Sequence, residues 1–224
     1  MSAKEIVTSA VERLFNQKDL VVVDEVFGPV YVQHSALGPD GVDGLKGLIG
    51  RLPAASGYEL VRALADGELV VTEGVFTGFA PVPLTGYDVW RLVDGRVVEH
   101  WDALGAAATH ATGEESGAGS GDVAVNRSFV AGWVENGLIG GDPDAVAASV
   151  GEGGRDAFVD PALVYSALHA VIADGDLVYT RSEGSLEGPV IINDVWRVKD
   201  GRIVERWGLV APVPAEFPHS NGAF

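Results

Sequence analysis

Residues Asp88–Trp101, DVWRLVDGRVVEHW, return as Asp194–Trp207, DVWRVKDGRIVERW, with ten of fourteen positions identical. The match extends upstream, where Ala65-Asp66-Gly67-Glu68-Leu69-Val70 reappears as Ala173-Asp174-Gly175-Asp176-Leu177-Val178. A repeat of this length is a whole domain rather than a solenoid unit. It therefore divides the 224 residues into two domains of about 100 residues each, and each is large enough to bury a core.

Within each copy an Asp-Gly pair, Asp94-Gly95 or Asp200-Gly201, sits between two runs rich in Val, Trp and Leu. Asp-Gly favours the positive backbone dihedrals of a tight antiparallel hairpin, so two long strands are predicted to meet at each pair. Alternation then puts Asp88, Trp90 and Leu92 on one face of the first strand, and His100 and Asp102 together on one face of its partner. The remaining pattern predicts an opening helix over 4–16, a short helix from Asp19 stopped by Gly28-Pro29, a short strand at 31–34 and a third helix over 42–52. Strands are expected at 58–65, 68–78, 84–93 and 96–104. Helices followed by a meander make an α+β domain, with helices packed on one face of a curved antiparallel sheet.

The second copy repeats this plan from a helix over 123–136, with strands near 162–173, 176–186, 189–199 and 202–210. Domains are thus expected at 1–104 and 122–210. Between them 105–121, GAAATHATGEESGAGSG, has the composition of a flexible linker, and His110 within it is given no role. A Pro-rich, irregular tail is expected at 211–224.

The net charge of −17 is spread over both halves and argues against nucleic acid as a partner, since such a surface repels phosphate. With no cysteine, disulfides, thiolate metal sites and a cysteine nucleophile are excluded. No signal-peptide core or membrane-length apolar run occurs, so the expectation is a cytoplasmic protein without a membrane partner.

The words YVQH, ADGELV and YDVWRLVDGRVVEHWD, in that order, resemble the SnoaL-like branch of the nuclear transport factor 2-like superfamily. The resemblance implies two tandem cone-shaped α+β domains whose sheets meet as an internal pseudo-dimer, with further homo-oligomers open. Each cone would admit a mostly apolar ligand, with no cofactor and no metal. It places His34, Asp88, His100 and Asp102 at or near the first cavity. The second copy keeps Asp194 but reads Glu205-Arg206-Trp207-Gly208 where the first reads Glu99-His100-Trp101-Asp102, and it has no counterpart of His34. A working site is therefore expected in the first copy alone.

These residue types suit removal of an acidic proton and stabilisation of the resulting enolate or alkoxide: a carboxylate in an apolar cone as base, and a His as donor. The expected catalytic set is Asp88, His34 and His100, with Asp102, Tyr31, Trp90 and Trp101 contacting substrate. Trp90, Trp101, Trp196 and Trp207 recur in both copies, which also suits packing, and Arg91 and Arg197 are expected to pair with carboxylates. His169 is expected in the core or an interface. A metal set of His34, His100 and Asp102 has permissible ligands but no supporting spacing. The expected activity is a cofactor-independent cyclase or isomerase acting on a polyketide-like or other apolar carbonyl compound. The alternatives are a carrier without turnover and an epoxide hydrolase of the same fold.

Overall fold

The computed structural model describes residues 1–106, 121–150 and 154–224, so His110 and most of the linker lie outside the described residues. The chain divides into two compact units, Met1–Glu114 together with Pro214–Phe224, and Glu115–Val213. Both are α+β, with helices on one face of a twisted, mainly antiparallel sheet.

In the first unit α1 (Ala3–Phe15) starts at a capping box. Ser2 Oγ accepts from Glu5 N, and the Glu5 carboxylate accepts from Ser2 N, which satisfies two amides that the first helical turn leaves open. Its stripe of Val7, Ala10, Val11 and Leu14 is buried. The short α2 (Val21–Val26) follows, with Asp19 Oδ1 accepting from Val21 N at 3.0 Å. The helix ends before Gly28-Pro29, as the sequence predicts, but β1 (Phe27–Gln33) begins at once and runs through that pair, where the sequence predicts a strand only from 31. The reason is position: β1 is the edge of a sheet ordered β1-β5-β4-β3-β2, and an edge strand tolerates a residue with no N–H.

After α3 (Gly41–Arg51) come β2 (Gly57–Asp66), β3 (Leu69–Thr77), β4 (Leu84–Val93) and β5 (Arg96–Ala106) as an antiparallel meander. Phe27, Tyr31, Tyr58, Val70, Phe76, Trp90, Leu92 and Val97 join the buried side chains of α1, α2 and α3 in one core.

Two features set the register of the β4–β5 hairpin. Asp94 and Gly95 both have positive φ, 51° and 75°, the turn geometry whose twist matches that of paired strands. Just beyond the turn Leu92 pairs with Val97 while Arg91 pairs with Glu99, so Val98 is an extra, bulged residue. Side chains alternate with a period of two, so this single residue decides which half of β5 faces inward. With it, Asp88 lies opposite Asp102 and Trp90 opposite His100. Without it, Asp88 would lie opposite Trp101.

The second unit has α4 (Val123–Gly132) capped by Asp122, a π-helical turn (Trp133–Ile139), α5 (Pro143–Ser149) capped by Asp142, and strands β6 (Val164–Asp174), β7 (Leu177–Ser185), β8 (Pro189–Lys199) and β9 (Arg202–Pro212). Its sheet is the simple meander β6-β7-β8-β9, without a counterpart of β1 among the described residues. The turn and bulge recur: Asp200 and Gly201 have φ of 51° and 72°, and Val198 pairs with Ile203 while Arg197 pairs with Glu205. The helix expected to reach 136 widens into the π turn at Trp133, whose ring packs edge-on against Trp196 at 6.0 Å. His169, expected in a core or interface, is exposed, with Nε2 3.4 Å from Glu183 Oε2. Arg91 and Arg197 do pair with carboxylates, Glu99 and Glu205 respectively.

Gly95→Ala and Gly201→Ala each place a Cβ on a left-handed residue with nothing closer than 3.9 Å around it, so backbone strain alone is added. Each is expected to lower stability by about 1 kcal/mol, read as a lower denaturant midpoint at unchanged slope.

Candidate active site

The inner face of the first sheet is apolar except at its centre, where neighbouring strands present Thr72, Asp88, His100, Asp102 and Gln33. Asp88 and His100 are 2% and 5% exposed. A small cavity lies against them, closed on its other sides by Phe15, Leu37, Leu45, Leu48, Phe76 and Phe79. Its volume is about 20 Å³, room for roughly one water. Ligand pockets hold about 300–1,000 Å³, so a substrate enters only if part of this wall moves. Leu37, 49% exposed, and the half-buried Leu48 and Phe79 are the parts of it nearest solvent.

Hydrogen bonding fixes where the protons sit. Gln33 Oε1 accepts from Ser35 N at 3.3 Å, and because a backbone amide only donates, that contact sets the orientation of the Gln33 side chain. The same oxygen lies 2.7 Å from His100 Nδ1, so Nδ1 carries a hydrogen. The other ring nitrogen, Nε2, lies 3.1 Å from Asp88 Oδ1. One proton therefore lies between His100 and Asp88, as an imidazolium facing a carboxylate or a neutral imidazole facing a carboxylic acid. The imidazole stacks on Trp90, with centroids 4.0 Å apart and planes at 23°, and the indole face suits a positive charge. Trp90 is itself pinned by its Nε1–H donating to Thr72 Oγ1 at 3.2 Å.

Beneath this layer are two buried phenols. Burial, then the charges of Asp102 and Asp88, push the Tyr31 hydroxyl well above its ordinary range, against a pull from Gln33. Tyr58 is likewise raised, first by burial and then by Asp88. Both stay protonated and are hydrogen-bond donors at neutral pH.

Of the expected residues, Asp88, His100, Asp102 and Trp90 are brought together around the cavity, and Tyr31 sits in the core below it. His34 and Trp101 are not part of the group. Parallel pairing of β1 with β5 sets Gln33, not His34, beside His100, so His34 projects from the opposite face and stacks on Trp101 at 4.8 Å. There His34 Nε2 lies 3.0 Å from Glu99 Oε1 and Nδ1 lies 3.2 Å from Gly222 O. Both partners are acceptors. The metal set of His34, His100 and Asp102 is thereby split between two faces. The donors that do converge are Asp88, His100 and Asp102, all within 4.8 Å of one another, close enough to hold a metal ion. Gln33 is the site residue that reading the sequence missed; its one signal is the adjacent strand position to His34.

Residues 7–100 match the family model described as the SnoaL-like domain. The first unit is a SnoaL-like domain. Among solved structures, IdmH from Streptomyces antibioticus, described as a candidate polyketide cyclase, is similar at 21% identity over 46% of this chain and 92% of its own, with a TM-score of 0.41. A candidate ketosteroid isomerase from Kribbella flavida is similar at 16% identity over 50% and 83%, with a TM-score of 0.41. An epoxide hydrolase of M. tuberculosis, described as LEH-like, is similar at 24% identity over 46% and 82%, with a TM-score of 0.39. No curated protein matches the chain.

The second unit repeats the framework of the first with its polar centre occupied by an ion pair. Trp196 Nε1–H donates to Thr180 Oγ1 at 2.9 Å, as Trp90 does to Thr72. Arg206 stands where the first domain has His100, opposite the conserved-in-position Trp. Asp194 is fully buried and accepts from Tyr165 Oη and Arg206 Nε, both at 2.8 Å. Burial pushes its carboxyl up, and the Arg206 charge and these hydrogen bonds pull it back. Gly208 replaces Asp102; a Cβ there would come within 2.6 Å of Asn193 O and Asp194 Oδ1.

Arg206→Ala would strand the Asp194 carboxyl in this interior and is expected to cost about 3 kcal/mol of stability. Asp194→Asn leaves one amide oxygen to accept from Arg206 and an NH2 that the Tyr165 hydroxyl can accept from, and it strands no buried charge of its own, so it should cost less. Denaturant melts of the two variants check the order.

Proposed function

We propose that the first domain is a cofactor-independent enzyme of the cyclase or isomerase kind, acting on a compact apolar compound that carries a carbonyl group. The observation that supports this best is the single proton held between His100 Nε2 and Asp88 Oδ1 at the floor of an otherwise apolar cavity. In the carboxylate form, Asp88 takes a proton from the carbon beside the substrate carbonyl. The imidazolium of His100 stabilises the charge that develops on the enolate oxygen. Return of the proton to a different carbon completes an isomerisation. Attack of the enolate carbon on a second carbonyl within the molecule, with protonation of the new alkoxide, completes a ring closure.

One observation favours a second reading. A cavity that admits a single water beside Asp88, His100 and Asp102 also suits activation of that water by a carboxylate, as hydrolysis of an epoxide requires. Labelled oxygen from solvent appears in the product of hydrolysis and not in that of isomerisation.

The experiment is deuterium wash-in at the acidic carbon of a panel of apolar 1,3-dicarbonyl compounds in heavy water, which reads proton abstraction whether or not a ring forms. The wild-type protein should exchange the label, and Asp88→Asn and His100→Gln should each slow it by roughly 100-fold or more. Asp194→Asn should leave the rate near wild type, and treatment with a chelator should leave it unchanged. Exchange no faster than in buffer alone, although the compound binds, would mean a carrier.

A further inference from the structure

The closing segment Pro214–Phe224 belongs to the first unit, although its composition predicts only an irregular tail. It forms no helix or strand, and its polar groups converge on the end of β1 and the turn that follows. His219 Nε2 lies 2.9 Å from Ser35 O, and Asn221 Nδ2 donates to Gln33 O at 2.9 Å and to Asp40 Oδ1 at 3.0 Å. Asp40 Oδ1 in turn accepts from Gln33 N at 2.8 Å.

These contacts fall where the sheet needs them. His34 N donates across to His100 O at 2.9 Å, so the peptide groups of Gln33 point the other way, out of the open edge of β1. Asp40 holds the Gln33 N–H and Asn221 holds its C=O. With its backbone gripped on that side, Gln33 turns its side chain inward and sets Oε1 on His100 Nδ1. The Asn221 amide suits this place because it offers two hydrogens to two acceptors, one of them the Asp40 carboxylate, and hydrogen bonds to a charged partner are the stronger kind.

We propose that Asn221, supported by His219, is a positioning residue of the active site: it fixes Gln33, whose amide oxygen keeps the Nδ1 proton on His100 and so aims Nε2 at Asp88. The catalytic consequence rests on the acid–base role proposed for His100 and Asp88, while the effect on the His100 ring needs no substrate and no turnover. The closing segment is then part of the machinery of the first domain. Misplacing an active-site group by about 1 Å can cost up to about 100-fold in rate, so one side chain on this strap has leverage over the chemistry.

The test is NMR of the full chain labelled with 15N in its histidines, whose ring signals distinguish the two tautomers. The five histidines are resolved by single substitution, His100→Gln identifying the one of interest. The wild-type ring should be protonated at Nδ1. Gln33→Leu should move the His100 signals towards the other tautomer, whereas Gln33→Glu, which retains an acceptor oxygen, should leave Nδ1 protonated. Asn221→Ala with His219→Ala should move them in the same direction as Gln33→Leu. Asn221→Asp, which sets an acceptor against two acceptors, should move them further than Asn221→Ala. In the exchange assay the Asn221 variants should lose up to about 100-fold in kcat, with KM little changed. Unchanged His100 signals in the Asn221 variants would overturn the proposal, even if those variants melt at lower temperature. Signals that move as described, in a protein whose wild type exchanges no label, would uphold the positioning and sink the acid–base reading instead.

Discussion

A one-residue bulge at Val98 is the constraint on which the candidate site depends. Strands have no memory of face except through parity, and the tight Asp94-Gly95 turn alone would pair β4 with β5 in a register that sets Asp88 against Trp101. The extra residue changes the parity once, and everything C-terminal to it on β5 changes face. His100 and Asp102 are turned into the apolar interior with Asp88, and Glu99 and Trp101 are turned out. Two buried polar groups then have to be satisfied within a dry layer, and they are satisfied by one another, by Gln33 and by a shared proton. The polar centre of the candidate site is thus a by-product of backbone geometry that lies one turn of hairpin away.

The same parity explains what could be read in advance. Helix α1, the meander and both hairpin turns follow from local signals: a 3.6-residue apolar period, a period of two, and Asp-Gly at the tips. The duplication is visible as text. The face on which His34 lands is not local, because it depends on how β1 pairs with β5, two strands far apart in sequence and parallel in space. A one-residue difference in that register exchanges His34 for Gln33, and YVQH as a word contains both. The part played by Pro214–Phe224 is still less legible: irregular chain held by single side-chain-to-backbone bonds has no period to detect.

Comparison of the two units separates framework from function within one chain. The indole-to-threonine bond, the Asp-Gly turn and the bulge are kept in both, so they belong to the fold. The acid opposite Thr72 or Thr180 is also kept, as Asp88 and Asp194, but its partner is not. A histidine can share a proton with a carboxylate and give it up; an arginine stays charged and does not. With Arg206 at the position of His100, a shared proton gives way to a fixed ion pair, with no change in strand geometry.

The glycine at 208 makes that difference hard to undo. A return to the first domain's arrangement needs at least Arg206→His and Gly208→Asp, and their order matters. Taken first, Gly208→Asp drives a Cβ against Asn193 O and a second carboxylate beside Asp194, while Arg206→His taken first removes the guanidinium that compensates a carboxyl buried without exposure. Each intermediate carries its own penalty. The second unit is therefore held closed by two coupled positions, as by a ratchet, since neither can take the first unit's residue alone without cost.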